Sequence, residues 1–190
     1  MQDIFELINE DELVDIFSKA VDIKSTNPKG NEKPMCEYVE SLLKQNGIEY
    51  VSVPVEEGRY DIIAKIRGSQ DKDALVFTGH MDVVPVSDDE MKRWNTPPFT
   101  STIKDGKLYG RGSADMKSGL IAAIYSMILL KRNNITPKRD IILAATIDEE
   151  NLMKGSKALE DNEVFKNAKY LIVCEPTDMK ICNEQKGRTW

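Results

Sequence analysis

Apolar residues recur at Leu13, Val14, Ile16, Phe17, Ala20 and Val21, the spacing of one face of a 3.6-residue repeat. The pattern stops at Thr26-Asn27-Pro28, where proline disfavours the helical region for the residue before it, so a first helix is expected to run up to that point. Met35, Tyr38, Val39, Leu42 and Leu43 mark a second helix, closed by Asn46-Gly47 with glycine suited to a left-handed cap. Ile48 to Val53 reads as a strand. Tyr60 to Ile66 alternates imperfectly, and Ala74 to Thr78 is a short apolar run of the kind covered on both faces. These two strands are expected to be neighbours.

Between Val86 and Thr102 the chain is rich in Asp, Pro and Ser, with Trp94, Pro97, Pro98 and Phe99, and is long enough to be a covering or functional loop. Asp105-Gly106 is a hairpin signal before Leu108 and Tyr109. Met116 to about Arg132 is apolar on most faces and ends at Asn133-Asn134 and Pro137; Asp140 then introduces a strand from Ile141 to Ile147. A further helix at Gly155 to Leu159 and a strand at Tyr170 to Cys174 continue the alternation, which predicts a layered α/β domain. No repeat, low-complexity tract or linker interrupts residues 1–190, so no internal domain boundary is expected.

A chain of 190 residues with 41% hydrophobic content can build one sizeable core. The net charge of -6, with basic residues interspersed among acids, argues against a nucleic-acid surface. Cys36, Cys174 and Cys182 fit no zinc-ribbon or redox spacing and are expected as free thiols in a reducing compartment. The N-terminus carries acids where a signal peptide would carry Lys or Arg, which predicts cytoplasmic residence. Leu120 to Leu130 is roughly half the length needed to span a bilayer and is expected as a core helix, without membrane association.

The only histidine, His80, directly follows an apolar strand. Asp115 lies in a glycine-rich turn, Glu149-Glu150 follows the Ile141 strand, and Glu175 follows Leu171-Ile172-Val173-Cys174. In a layered α/β domain, ligands gather outside the carboxyl ends of strands, so these distant residues can meet. One imidazole with converging carboxylates is a metal-site composition. Asp82, two residues after His80, is placed to accept the other imidazole N–H and fix its tautomer. Adjacent glutamates can divide labour, one holding a cation while the other accepts a proton from water. Taken singly, each feature has a plain structural reading: a packed histidine, an acidic helix start at Asp148-Glu149-Glu150, a capped strand end, a glycine turn.

His80-Met81-Asp82-Val83-Val84-Pro85, the stretch from Gly110-Arg111-Gly112 through Asp115-Met116-Lys117-Ser118-Gly119, Asp148-Glu149-Glu150 and Cys174-Glu175-Pro176 resemble, in order and spacing, a family of dinuclear zinc hydrolases. That family includes succinyl-diaminopimelate desuccinylase, acetylornithine deacetylase, aminoacylase and carboxypeptidase G. The resemblance runs from about Ser18 to the last residue. It implies a three-layer αβα zinc-exopeptidase-like domain with a mixed, mainly parallel sheet. It also implies that His80 and Glu175 bind one Zn2+, that Glu150 binds a second, and that Asp115 bridges them, with Co2+ or Mn2+ as alternative ions. Glu149 is implied as general base, Asp82 as the residue orienting His80, and Asp115-Met116 as a cis peptide. The implied reaction is hydrolysis of an amide bond in an N-acyl amino acid or small peptide.

The family supplies a further histidine to the second metal from far downstream, and this sequence has none besides His80. Gln185 to Trp190 resembles the point where the family's chain leaves the catalytic domain for a lid or dimerisation domain. The 190 residues are therefore expected to be a catalytic domain truncated at its C-terminal side, lacking the domain through which the parent would form a homodimer. An incomplete second metal site, little turnover and an exposed apolar patch follow as expectations. Two rivals remain: a non-catalytic remnant that keeps the fold, and a dinucleotide-binding unit. The second is weak, because Asp115 replaces the third glycine of the fingerprint and no robust strand leads into Gly110.

Overall fold

The structure, a computed structural model, describes residues 4–28, 30–70 and 73–181. Cys182 and the stretch from Gln185 to Trp190 lie outside the described residues. Five strands form the main sheet in the order β1-β2-β6-β3-β7: β1 (Glu49–Glu56), β2 (Arg59–Ile66), β3 (Ala74–His80), β6 (Ile141–Thr146) and β7 (Ala168–Val173). A separate ribbon pairs β4 (Thr102–Lys104) with β5 (Lys107–Tyr109) across Asp105-Gly106, both with positive φ as a tight hairpin turn requires. The expected adjacency of β2 and β3 is corrected, because β6 lies between them. Ile142, Leu143, Ala144 and Ala145 are buried, so β6, with both faces covered, takes the centre of the sheet.

The sheet is mixed as expected, but its ladders divide evenly. β6 is parallel to β3 and β3 to β7, whereas β1–β2 and β2–β6 are antiparallel. Only β2 opposes the other four strands, because β1 and β2 form a hairpin through Glu57-Gly58, where Gly58 has φ +71°.

Helices α1 (Glu10–Asp22), α2 (Lys33–Gln45) and α4 (Lys117–Arg132) cover one face, packing Ile16, Val39, Leu43, Leu120, Ile124 and Ile128 with Ile62, Ala64, Leu143 and Ala145 of the sheet. Alternate sheet residues Ile63, Val76, Ile142 and Ala144 face the other way, onto Leu159, Val164 and Phe165 around the short α5 (Lys154–Ala158). The 88–91 turn of helix, α3 (Asp88–Met91), sits within the expected covering loop.

α1 ends before the expected boundary, capped at Ile23. The Lys117 Nζ donates to the carbonyls of Ala20 (2.8 Å) and Ile23 (2.6 Å), satisfying orphan groups at the helix end. Ser25 to Asn27 instead run beside the segment after β3: Val83 N–H donates to Ser25 O and Asn27 N–H to Val83 O. Among the described residues no helix is long and apolar enough to cross a membrane.

Candidate metal centre

β6, β3 and β7 are parallel neighbours, so their carboxyl ends share one edge of the sheet. His80 is the last residue of β3 and pairs with Thr146 at the end of β6; Thr78 pairs with Val173 at the end of β7. The chain beyond β6 and β7 therefore delivers Glu149, Glu150 and Glu175 beside His80. Asp115 arrives, as its glycine-rich stretch predicts, from a turn, the one that opens α4, and not from the end of a main-sheet strand. That turn approaches closely because two positions lack side chains. A Cβ on Gly79 would sit 2.7 Å from the Met116 methyl, and one on Gly119 would overlap the Cys174 carbonyl oxygen. The Asp115-Met116 peptide is cis, as the resemblance implies.

His80 is buried, and its Nε2 faces three carboxylates: Asp115 Oδ1 at 3.1 Å, Glu175 Oε1 at 3.5 Å and Glu149 Oε2 at 3.8 Å. Its Nδ1 lies 2.9 Å from the backbone carbonyl of Asp82 and 3.5 Å from that residue's carboxylate. The nearer acceptor of the imidazole N–H is thus the Asp82 main chain. With Nδ1 donating to that carbonyl, Nε2 is the nitrogen turned toward the acids; it donates to Asp115 while the imidazole is charged and offers a lone pair only once that proton is lost.

The Asp82 side chain does other work. Its Oδ1 accepts the Glu149 N–H at 3.1 Å, and its Oδ2 accepts the Glu150 N–H at 3.0 Å and the Asn27 side-chain amide at 3.0 Å. The Glu149-Glu150 segment is a turn, not the helix start of the plain reading; α5 begins later, at Lys154. Asp148 initiates the turn at φ +65°, a conformation Asp tolerates better than most residues. Burial opposes its charge, yet donors from Asn27 and Arg59 hold its carboxyl down to about 2. Asn27, Arg59 and Glu32 carried no signal in the sequence. They are single polar residues in segments that read as a helix stop, a strand start and a helix approach.

Residues 76–183 match the family described as Peptidase family M20/M25/M40. The chain belongs to this family. A probable succinyl-diaminopimelate desuccinylase of Staphylococcus aureus is 36% identical to this M20 chain over 179 residues, covering 94% of the chain and 43% of the relative. The chain spans less than half the length of this curated relative. A dipeptidase of Saccharomyces cerevisiae, Dug1p, shares the fold with a TM-score of 0.77 at 18% identity, covering 90% of the chain and 40% of that protein. A dinuclear metal-binding M20 peptidase of Bacillus subtilis gives 0.64 at 17% identity, covering 86% and 42%.

The donors of this M20 chain suit divalent cations. One group joins His80, Asp115 and Glu175 and another His80, Glu149 and Glu150, with one nitrogen or oxygen from each residue lying within 4.8 Å of the others in its group. Electrostatics agree. Burial and the Asp115 charge push Glu150 up to about 7, and burial with Asp115 and Glu149 pushes Glu175 up. Burial pulls on His80 in the opposite sense, but Asp115, Asp82 and Glu175 outweigh it and carry the imidazole up to about 11. A proton on His80 thus supplies positive charge that the clustered carboxylates lack, a role open to a cation. Both groups draw on the same imidazole, and the nitrogen facing the acids serves one ion, so carboxylates alone remain for a second among the described residues.

Proposed function

We propose that this chain carries the catalytic centre of a metal-dependent hydrolase that cleaves an amide bond in an N-acyl amino acid or a small peptide. The observation that carries the reading is the convergence of Asp115, Glu149 and Glu175 on His80 Nε2 within 3.8 Å. We assign His80 and Glu175 to one Zn2+, Glu150 to a second, and Asp115 to both, with Co2+ or Mn2+ able to replace zinc at such nitrogen and oxygen donors. When bound, these ions polarise a scissile carbonyl and make water a better acid.

Asp82 holds the Nδ1 proton of His80 through its carbonyl, which keeps Nε2 directed at the centre. Its carboxylate fixes the backbone of both glutamates. Glu149, half-exposed beside Nε2, is free to take a proton from water at Oε2 and pass it to the leaving amine. The names of the Staphylococcus and Saccharomyces relatives support the substrate class, desuccinylation in one and dipeptide cleavage in the other. Free thiols at Cys36 and Cys174 support a cytoplasmic setting for the protein.

The test has two parts. Release of free amine from a panel of N-acyl amino acids and dipeptides, with Zn2+, Co2+ or Mn2+, is measured for this chain and for a form extended through the length its relatives carry. Activity is expected in the extended form, lowered roughly 10²- to 10⁴-fold by Glu149→Gln. The chain alone is expected to hold one ion tightly and a second weakly. Inactivity of the extended form on every substrate would favour a non-catalytic remnant.

A further inference from the structure

Behind the candidate ligands, Asp82 leads into a buried polar chain whose other members have no role in the reaction proposed above. Glu32, Asp82 and Asp148 are fully buried acids, and Asn27 is buried among them. The Asn27 Nδ2 donates to two carboxylates at once, Asp82 Oδ2 at 3.0 Å and Asp148 Oδ1 at 2.9 Å. Arg59 donates to the same Asp148 oxygen at 2.9 Å and forks onto Glu32, its Nε reaching Oε2 at 3.0 Å. The amide has one workable orientation here, since turning it over would set its oxygen against both acids. Its own Oδ1 has no hydrogen-bond partner among the described residues, so the side chain is held by its donor end alone.

We propose that Asn27 is a positioning residue of the metal centre, bridging Asp82 to the Arg59-anchored Asp148 so that the His80 loop and the Glu149-Glu150 turn are locked in one relative placement. The proposal rests on the metal-centre reading above. Asp82 links the two segments by itself, through its carbonyl to His80 and its carboxylate to the glutamate N–H groups, but a carboxylate can rotate. Asn27 removes that freedom and also separates two buried negative charges that would otherwise face each other. Arg59 and Glu32 hold the far end of the bridge in place. A ligand set spread over three strand ends depends on such outer partners for its geometry.

Co2+ binding tests this without turnover, by titration calorimetry and by the visible absorption of the bound ion. Asn27→Ala is expected to weaken Co2+ binding by about 10- to 100-fold and to change the absorption band. Ser25→Ala serves as the structural control: it removes the nearby tie from Ser25 Oγ to Met81 O, 2.7 Å, without touching either acid, and is expected to lower stability while leaving affinity and spectrum unchanged. If Asn27→Ala does not fold, Arg59→Lys carries the test, with an expected loss of about tenfold, because an ammonium cannot fork onto Glu32 and Asp148 together. Wild-type affinity and spectrum in whichever variant folds would overturn the proposal while leaving the metal centre standing. A wild-type chain that binds no Co2+ would instead overturn the metal-centre reading and this proposal with it.

Discussion

Asp61 shows how a single buried acid ties stability to pH. Its Oδ1 accepts the Ile147 N–H at 2.9 Å, while Oδ2 is buried with no partner among the described residues. Burial pushes its carboxyl up to about 7, against the pull of that N–H and of Arg59. The folded chain therefore binds this proton more tightly than the unfolded chain. Its contribution is fully present below the ordinary value of 3.8 and is lost as pH rises toward about 7. Asp61→Asn mimics the protonated form, so the stability of the variant relative to the parent should grow across that window, by at most about 1.4 kcal/mol per pH unit. Denaturant midpoints taken at about pH 4 and about pH 7 measure it; a gap that does not change with pH would refute it. His80 and Glu150 give the opposite dependence for cation binding. Both are shifted up, and both must lose protons to accept an ion. Affinity for Zn2+ should therefore rise with pH, about tenfold per unit for each proton released. Calorimetry in buffers of different ionisation heat counts the protons, and proton-free binding at neutral pH would contradict the shifts.

At the scale of elements, the decisive contact is that of α4 with the ends of β3 and β7. Gly119 meets the Cys174 backbone, which cannot yield, whereas Gly79 meets the flexible end of Met116. Gly119→Ala should cost roughly 1–3 kcal/mol or more in denaturant unfolding, and Gly79→Ala less. Because Glu175 follows Cys174 directly, Gly119→Ala should also weaken metal binding; equal costs for the two variants would argue against the difference in compliance. The segments themselves were largely legible. α2 begins and ends within a few residues of its apolar stripe, Gly47 adopts the expected left-handed conformation at φ +63°, and the Asp105-Gly106 hairpin forms. The end of α1 was not legible, because Lys117, distant in sequence, takes its last carbonyls.

For the whole molecule, β7 is the outer strand of the sheet and pairs only with β3 among the described residues. Leu171 is 62% exposed and Val173 54% exposed. Beside them a cavity of about 400 Å³ opens on the thinly covered face, lined by Val76, Ala144, Leu159, Phe165 and Tyr170. An unpaired edge next to an apolar surface favours association between copies. Sedimentation velocity should show concentration-dependent self-association, reduced by Leu171→Glu. A chain monomeric at every concentration would count against it.

The local order of acids, glycines and the lone histidine, together with the helix and strand periods, determined the candidate ligands, the α/β class and most element positions, because those depend on neighbours within a few residues. Only the tertiary structure decided that β6 takes the centre between β2 and β3, that the Asp82 carbonyl is the nearer partner of His80, and that Asn27 and Arg59 stand behind the glutamate turn. Strand order and buried polar partners are settled by which distant surfaces exclude water together, and no period along the chain records that.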